Sequence, residues 1–147
     1  MGSWKYDIKD DLARYGGQLI AVTTLPDELR RLELEFKSIK AASTDTTPVQ
    51  GGGTVYEDRL LTNIARRDKT AMALSMTQID IERIEAALDC LDETERHIVD
   101  TMYIHRHRGA VGRLREELGL EDERSVYKRA ERALKKLTYA LYGREEK

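Results

Sequence analysis

The chain has 147 residues, 35% of them charged and 40% hydrophobic, with two prolines and a formal net charge of −2. That length holds one domain, or two very small ones, and the composition suits a helical, well-solvated protein better than a disordered or fibrous one. A lone Cys90 excludes an internal disulfide framework and a cysteine-built zinc site, and apolar runs of four residues, such as Leu19–Val22, are too short for a spanning helix or a signal peptide. A cytoplasmic protein with no membrane partner is expected. The charge is segregated: residues 1–100 carry −6 and residues 101–147 carry +4, so a polyanion would bind at the C-terminal end.

Met1–Ser3 reads as a flexible start. Tyr6, Leu12, Tyr15, Leu19 and Ile20 predict a first short helix, weakened by Gly16 and Gly17. A second helix follows to residue 41, with Thr24 as its cap, Pro26 in its first turn, and Leu25, Leu29, Leu32, Phe36 and Ile39 forming a narrow seam. These N-terminal helices occupy residues 1–41. Residues 42–55 are small, polar and glycine-rich, which predicts a flexible loop. Gly53 is followed by Thr54-Val55-Tyr56 rather than Lys-Ser/Thr, so this is no phosphate-binding loop.

From 56 to 91, Leu60, Ile64, Ala71, Leu74, Ile81, Ile84, Leu88 and Leu91 recur at helical spacing, with Arg67 and Gln78 interrupting. This is one long helix or two in series. With the preceding helix it makes an antiparallel coiled-coil hairpin, or else the seam is shared by two chains in a dimer; the pattern fits both. Asp92-Glu93-Thr94-Glu95 is a capping box that opens the next helix, bearing Ile98, Val99, Met102 and Tyr103 and ending around His105–Gly109. A short helix from 110 to 118 presents Val111, Leu114 and Leu118, Gly119 ends it, and Asp122 caps a last helix to about Tyr142. The fold class is therefore all-α, with residues 92–147 carrying a helix-turn-helix layout.

On the last helix Val126, Ala130, Ala133, Leu134, Leu137 and Leu141 fall within about 100° of one another, the width of a buried stripe. Opposite them the face is cationic, with Glu131 the main exception. A major groove admits one helix, whose first turns meet base edges and whose later cations meet phosphates. Arg124, Ser125, Lys128 and Arg129 are thus candidates for reading bases, and Arg132, Lys135 and Lys136 for phosphate contact. Arg113 and Arg115 on the preceding helix, with Arg106, His107 and Arg108 before it, add candidate backbone contacts.

Leu88-Asp89-Cys90-Leu91, Arg96-His97-Ile98-Val99, Met102-Tyr103, Glu116–Leu120, Ser125-Val126-Tyr127 and the run Arg129–Leu137 together resemble region 4 of sigma-70 factors. This covers about a third of the chain, and its last nine residues are the most specific part. Arg115 stands where that family has a small residue, and the connection from Gly119 to Val126 is one residue longer than usual. The N-terminal helical pair, the loop Thr47–Gly53, Tyr56–Leu60 and the sigma-like end also resemble phage-encoded RinA/ArpU-type late transcription regulators. No aromatic cluster of the kind that melts promoters occurs in the first 90 residues. The resemblance implies a DNA-binding activator of phage or prophage genes. Double-stranded DNA is then the partner, RNA polymerase stays open as a second one, and a homo-oligomer, with a dimer favoured, is expected.

No catalytic constellation or cofactor motif is present, so the expectation is a non-enzyme without cofactor or metal. His97, His105 and His107 lack a convincing third ligand and read as surface histidines. Cys90 reads as a buried small hydrophobe. Tyr103, Tyr127, Tyr139 and Tyr142 read as packing residues, with Tyr127 able to touch a sugar or a thymine methyl. Two rivals stay open: a small terminase-type packaging subunit, and a sigma-like interaction module that does not itself contact DNA.

Overall fold

A computed structural model describes residues 4–44 and 52–145. The expected flexible start at 1–3 lies outside them. Every regular element among the described residues is helical: α1 Trp4–Thr44, α2 Gly52–Leu88, α3 Glu93–Val99, α4 Ala110–Leu118 and α5 Glu123–Tyr142, with a π-helical segment Asp100–Ile104 continuing α3. None is long and apolar enough to cross a membrane.

The separate helices expected at the N-terminus are instead one 41-residue helix, with Pro26 in its interior. Proline has no amide to donate to Val22, so the helix forgoes a bond there. Around that gap the Thr23 and Thr24 hydroxyls donate to the carbonyls of Ile20 and Ala21, at 2.7 and 3.3 Å. Thr24 is therefore no cap. The loop expected at 42–55 is shorter too: 42–44 continue α1, 52–55 begin α2, and 45–51 lie outside the described residues. Glycine is least costly at a helix start, which is where Gly52 and Gly53 sit. From there α2 is a single helix.

The chain divides into two compact units, residues 20–78 and the combination of 1–19 with 79–147. In the first, Leu32 and Ile39 of α1 are buried, as is Asn63 of α2. The Asn63 amide donates to the Leu32 carbonyl at 2.9 Å, while its own oxygen is buried without a partner among the described residues. The Phe36 ring lies between Lys40 and Arg67, with cation-to-centroid distances of 5.0 and 5.2 Å. The seam of α2 thus passes through Asn63; Ile64, expected in it, is 39% exposed, and Ala71 is exposed as well.

The second unit holds the larger core. Ile8, Leu12 and Tyr15 of α1 and Ile84, Ala87 and Leu88 of α2 are buried together with Leu91, Val99, Ile104, Ala133, Leu134 and Leu137. A smaller cluster of Ile98, Leu114, Val126 and Ala130 joins α3, α4 and α5. Leu141, expected in the buried stripe, is only half-buried. Tyr142 donates to the Asp11 carboxylate, and Gln18 donates to Asp80 at 3.0 Å. Asp92 caps α3 with the reciprocal Glu95 contacts of a capping box, and its carboxyl is held below the ordinary range, first by the Glu95 amide. The Tyr15 phenol is pushed up by burial and by Glu85. Cys90 is exposed rather than buried, because α2 ends at Leu88 and the thiol stands in the turn beyond it.

Candidate nucleic-acid interface

α4 and α5 are joined by residues 119–122. Gly119 takes the left-handed conformation (φ 66°) and its amide closes α4 onto the Arg115 and Glu116 carbonyls. Asp122 then opens α5: its carboxylate accepts from both the Ser125 amide and the Ser125 hydroxyl, each at 2.9 Å. Those bonds, the amide first, hold the Asp122 carboxyl below the usual range. Ser125 is half-buried and occupied by the cap.

One side of α5 is sealed by Val126, Ala130, Ala133, Leu134 and Leu137. The opposite side is exposed, and its cations fall into two sets. Arg124, Lys128, Arg129 and Arg132 are exposed and form no ion pair among the described residues. Lys135 and Lys136 are engaged: Lys135 pairs with Glu145 at 3.1 Å, and Lys136 with Glu95 at 2.8 Å. Each ammonium is pushed up by its carboxylate partner. The Glu95 side chain is only 13% exposed and also serves the α3 cap, so Lys136 ties α5 to α3. A surface cleft of about 370 Å³ lies there, lined by Asp92, Glu95, Ile98, Arg129, Arg132 and Lys136 among others.

Glu131, the acidic exception on α5, pairs with Lys5 of α1 at 2.7 Å, and that bond is the first cause of its lowered carboxyl. Lys9 also lowers it and stands 5.6 Å from the Tyr103 ring centroid. Sequence reasoning missed Lys5 and Lys9, because more than a hundred residues separate them from α5 and only the shared core brings them beside it.

Among the other candidates, Arg113 is exposed on α4 and Arg115 is half-buried there. Arg106, His107 and Arg108 are exposed in the turn before α4, Arg106 with a left-handed backbone (φ 50°). All three histidines are exposed; His97 meets Glu117 and His105 meets Asp100, both at 2.8 Å. Tyr127 and Tyr139, expected to pack, are 53% and 48% exposed, because they fall on the flanks of the stripe.

The resulting surface is a capped helix on which Arg124, Lys128, Arg129 and Arg132 form no ion pair among the described residues, with Glu131 paired to Lys5 and Glu123 exposed at the first turn. Those four cations attract a polyanion and present donors without acceptors. No protein-family model, no curated protein and no solved structure matches the chain.

Proposed function

We propose that this protein binds duplex DNA sequence-specifically and regulates transcription. In this reading α4 and α5 are the two helices of a sigma region 4-like helix-turn-helix, and α5 enters the major groove. Residues 20–78 are an antiparallel helical hairpin through which two copies associate, giving two α5 helices for half-sites about one helical turn apart. The resemblance to RinA/ArpU-type regulators points to activation of phage or prophage genes in the bacterial cytoplasm, with RNA polymerase as a further partner.

The observation that carries this reading is the division of α5: one side sealed into the core, the other exposing Arg124, Lys128, Arg129 and Arg132, which form no ion pair among the described residues. A merely solvated helix face usually intersperses acidic residues, and here the intervening Glu131 is taken by Lys5.

The test is selection of bound sequences from a random duplex pool at about 150 mM salt, with the mass of the bound species measured alongside. A defined motif enriched by a dimer is the expected result. No binding at low salt, with polymerase captured instead, overturns DNA binding in favour of an interaction module. Sequence-independent binding by a ring of eight or more chains overturns regulation in favour of a packaging subunit.

A further inference from the structure

The outward side chains in the first two turns of α5 restrict which bases it can read. We infer that this helix selects guanines in the major groove, through Arg124 and Lys128, an inference that rests on α5 being the groove helix. Counting about 100° per residue, Arg124 and Lys128 lie about 40° apart, on the line directly opposite buried Val126. Both are exposed and neither is ion-paired among the described residues. Arginine and lysine donate hydrogen bonds and accept none.

Reading adenine calls for Asn or Gln, and reading cytosine for a free carboxylate, since both bases show an amino group in the major groove. α5 contains no Asn or Gln. Its Glu131 is held by Lys5 at 2.7 Å. Glu123 is exposed but lies about 100° from Arg124, off the line opposite Val126. The Asp122 carboxylate accepts twice from Ser125, and the Ser125 hydroxyl is turned back to that cap. Tyr127, though exposed, lies about 100° from Lys128 on the flank of the stripe. What remains on the line opposite Val126 is a donor-only edge, and guanine alone offers two adjacent acceptors, N7 and O6. Four helical residues advance about 6 Å, so at about 3.4 Å per base step the two guanines lie within about two steps.

The experiment uses the full chain and the duplex enriched from the random pool. Replacing one enriched guanine by 7-deazaguanine removes N7 while keeping the pairing; replacing it by hypoxanthine keeps N7 and O6 and removes only the minor-groove amino group. The expected result is about tenfold weaker binding with 7-deazaguanine and unchanged binding with hypoxanthine. In Arg124→Ala or Lys128→Ala, checked for unchanged thermal unfolding, the 7-deazaguanine penalty disappears at one guanine and persists at the other. Enriched sites without guanine, or a penalty that survives in both variants, overturn the inference and leave DNA binding standing. No duplex bound even at low salt overturns both.

Discussion

A Cβ added at Gly16 would lie 2.8 Å from the Ile104 carbonyl oxygen, whereas one at Gly17 would meet nothing within 4 Å. The first contact is with backbone, which cannot swing aside, so α1 needs glycine to approach the end of the π-helical segment. Gly16→Ala should destabilise the protein by about 1–3 kcal/mol, and Gly17→Ala should stabilise it by about 0.5–1 kcal/mol, as urea unfolding will measure. Equal effects would contradict the close packing. Asn63 is the other residue whose position decides its behaviour. Only 1% exposed, with its side-chain oxygen unpaired among the described residues, it weakens the seam it occupies. Asn63→Leu should raise stability by about 1–2 kcal/mol, and a loss would mean that the oxygen has a partner in solution. Neither glycine's role nor Asn63's burial can be read from periodicity. Each depends on what lies opposite, and a polar residue at a seam position leaves the apolar pattern looking as though it shifted to Ile64.

The helices of the C-terminal end were the most legible elements, because local chemistry marks their ends. The capping box at Asp92, left-handed Gly119 and the Asp122 cap all stand where those residue types demand. The folded carboxyls of Asp92, Asp122 and Glu131 lie below their unfolded values, so these groups bind fewer protons folded than unfolded. Their stabilisation is present above about pH 4 and is lost as pH falls through the lowered values. Asp122→Asn keeps a capping side chain without the titration, so its stability should fall less between about pH 4 and pH 2 than the parent's. Acid titration followed by circular dichroism measures the difference. If α5 binds duplex DNA as proposed, Arg132→Ala weakens all sites alike and reduces the salt slope by about one unit. Lys136→Ala should instead lower thermal stability first, because its ammonium is committed to Glu95. In α1 local chemistry misled: proline and paired glycines ordinarily end a helix, and contacts supplied by other elements override them here.

At the scale of the molecule, the basic helix stands on a core that the C-terminal residues do not complete. Ile8, Leu12 and Tyr15 from the start of the chain and Ile84 and Leu88 from the end of α2 are buried with Leu134 and Leu137 of α5. A fragment of residues 92–147 should therefore show no cooperative thermal transition, whereas residues 1–19 joined through a short linker to 79–147 should unfold cooperatively. A cooperative transition in the shorter fragment would contradict the shared core. Hydrophobic spacing disclosed that each of these segments has an apolar side. It could not disclose that the first and last helices bury theirs together, because periodicity carries no information about long-range pairing.

The hydrogen bond from Tyr142 to Asp11 joins groups 131 positions apart, which sets an order on the ribosome. Ile8, Leu12 and Tyr15 are made before α5, and their side of α1 waits for Leu134 and Leu137 of that helix to cover it. At about 5–20 residues per second, that interval is roughly 7–26 s for each molecule made. The exposed cations of α5 thus gain their supporting core only after α1 and α2 have been made, and a chain stopped before α5 leaves Ile8, Leu12 and Tyr15 without Leu134 and Leu137.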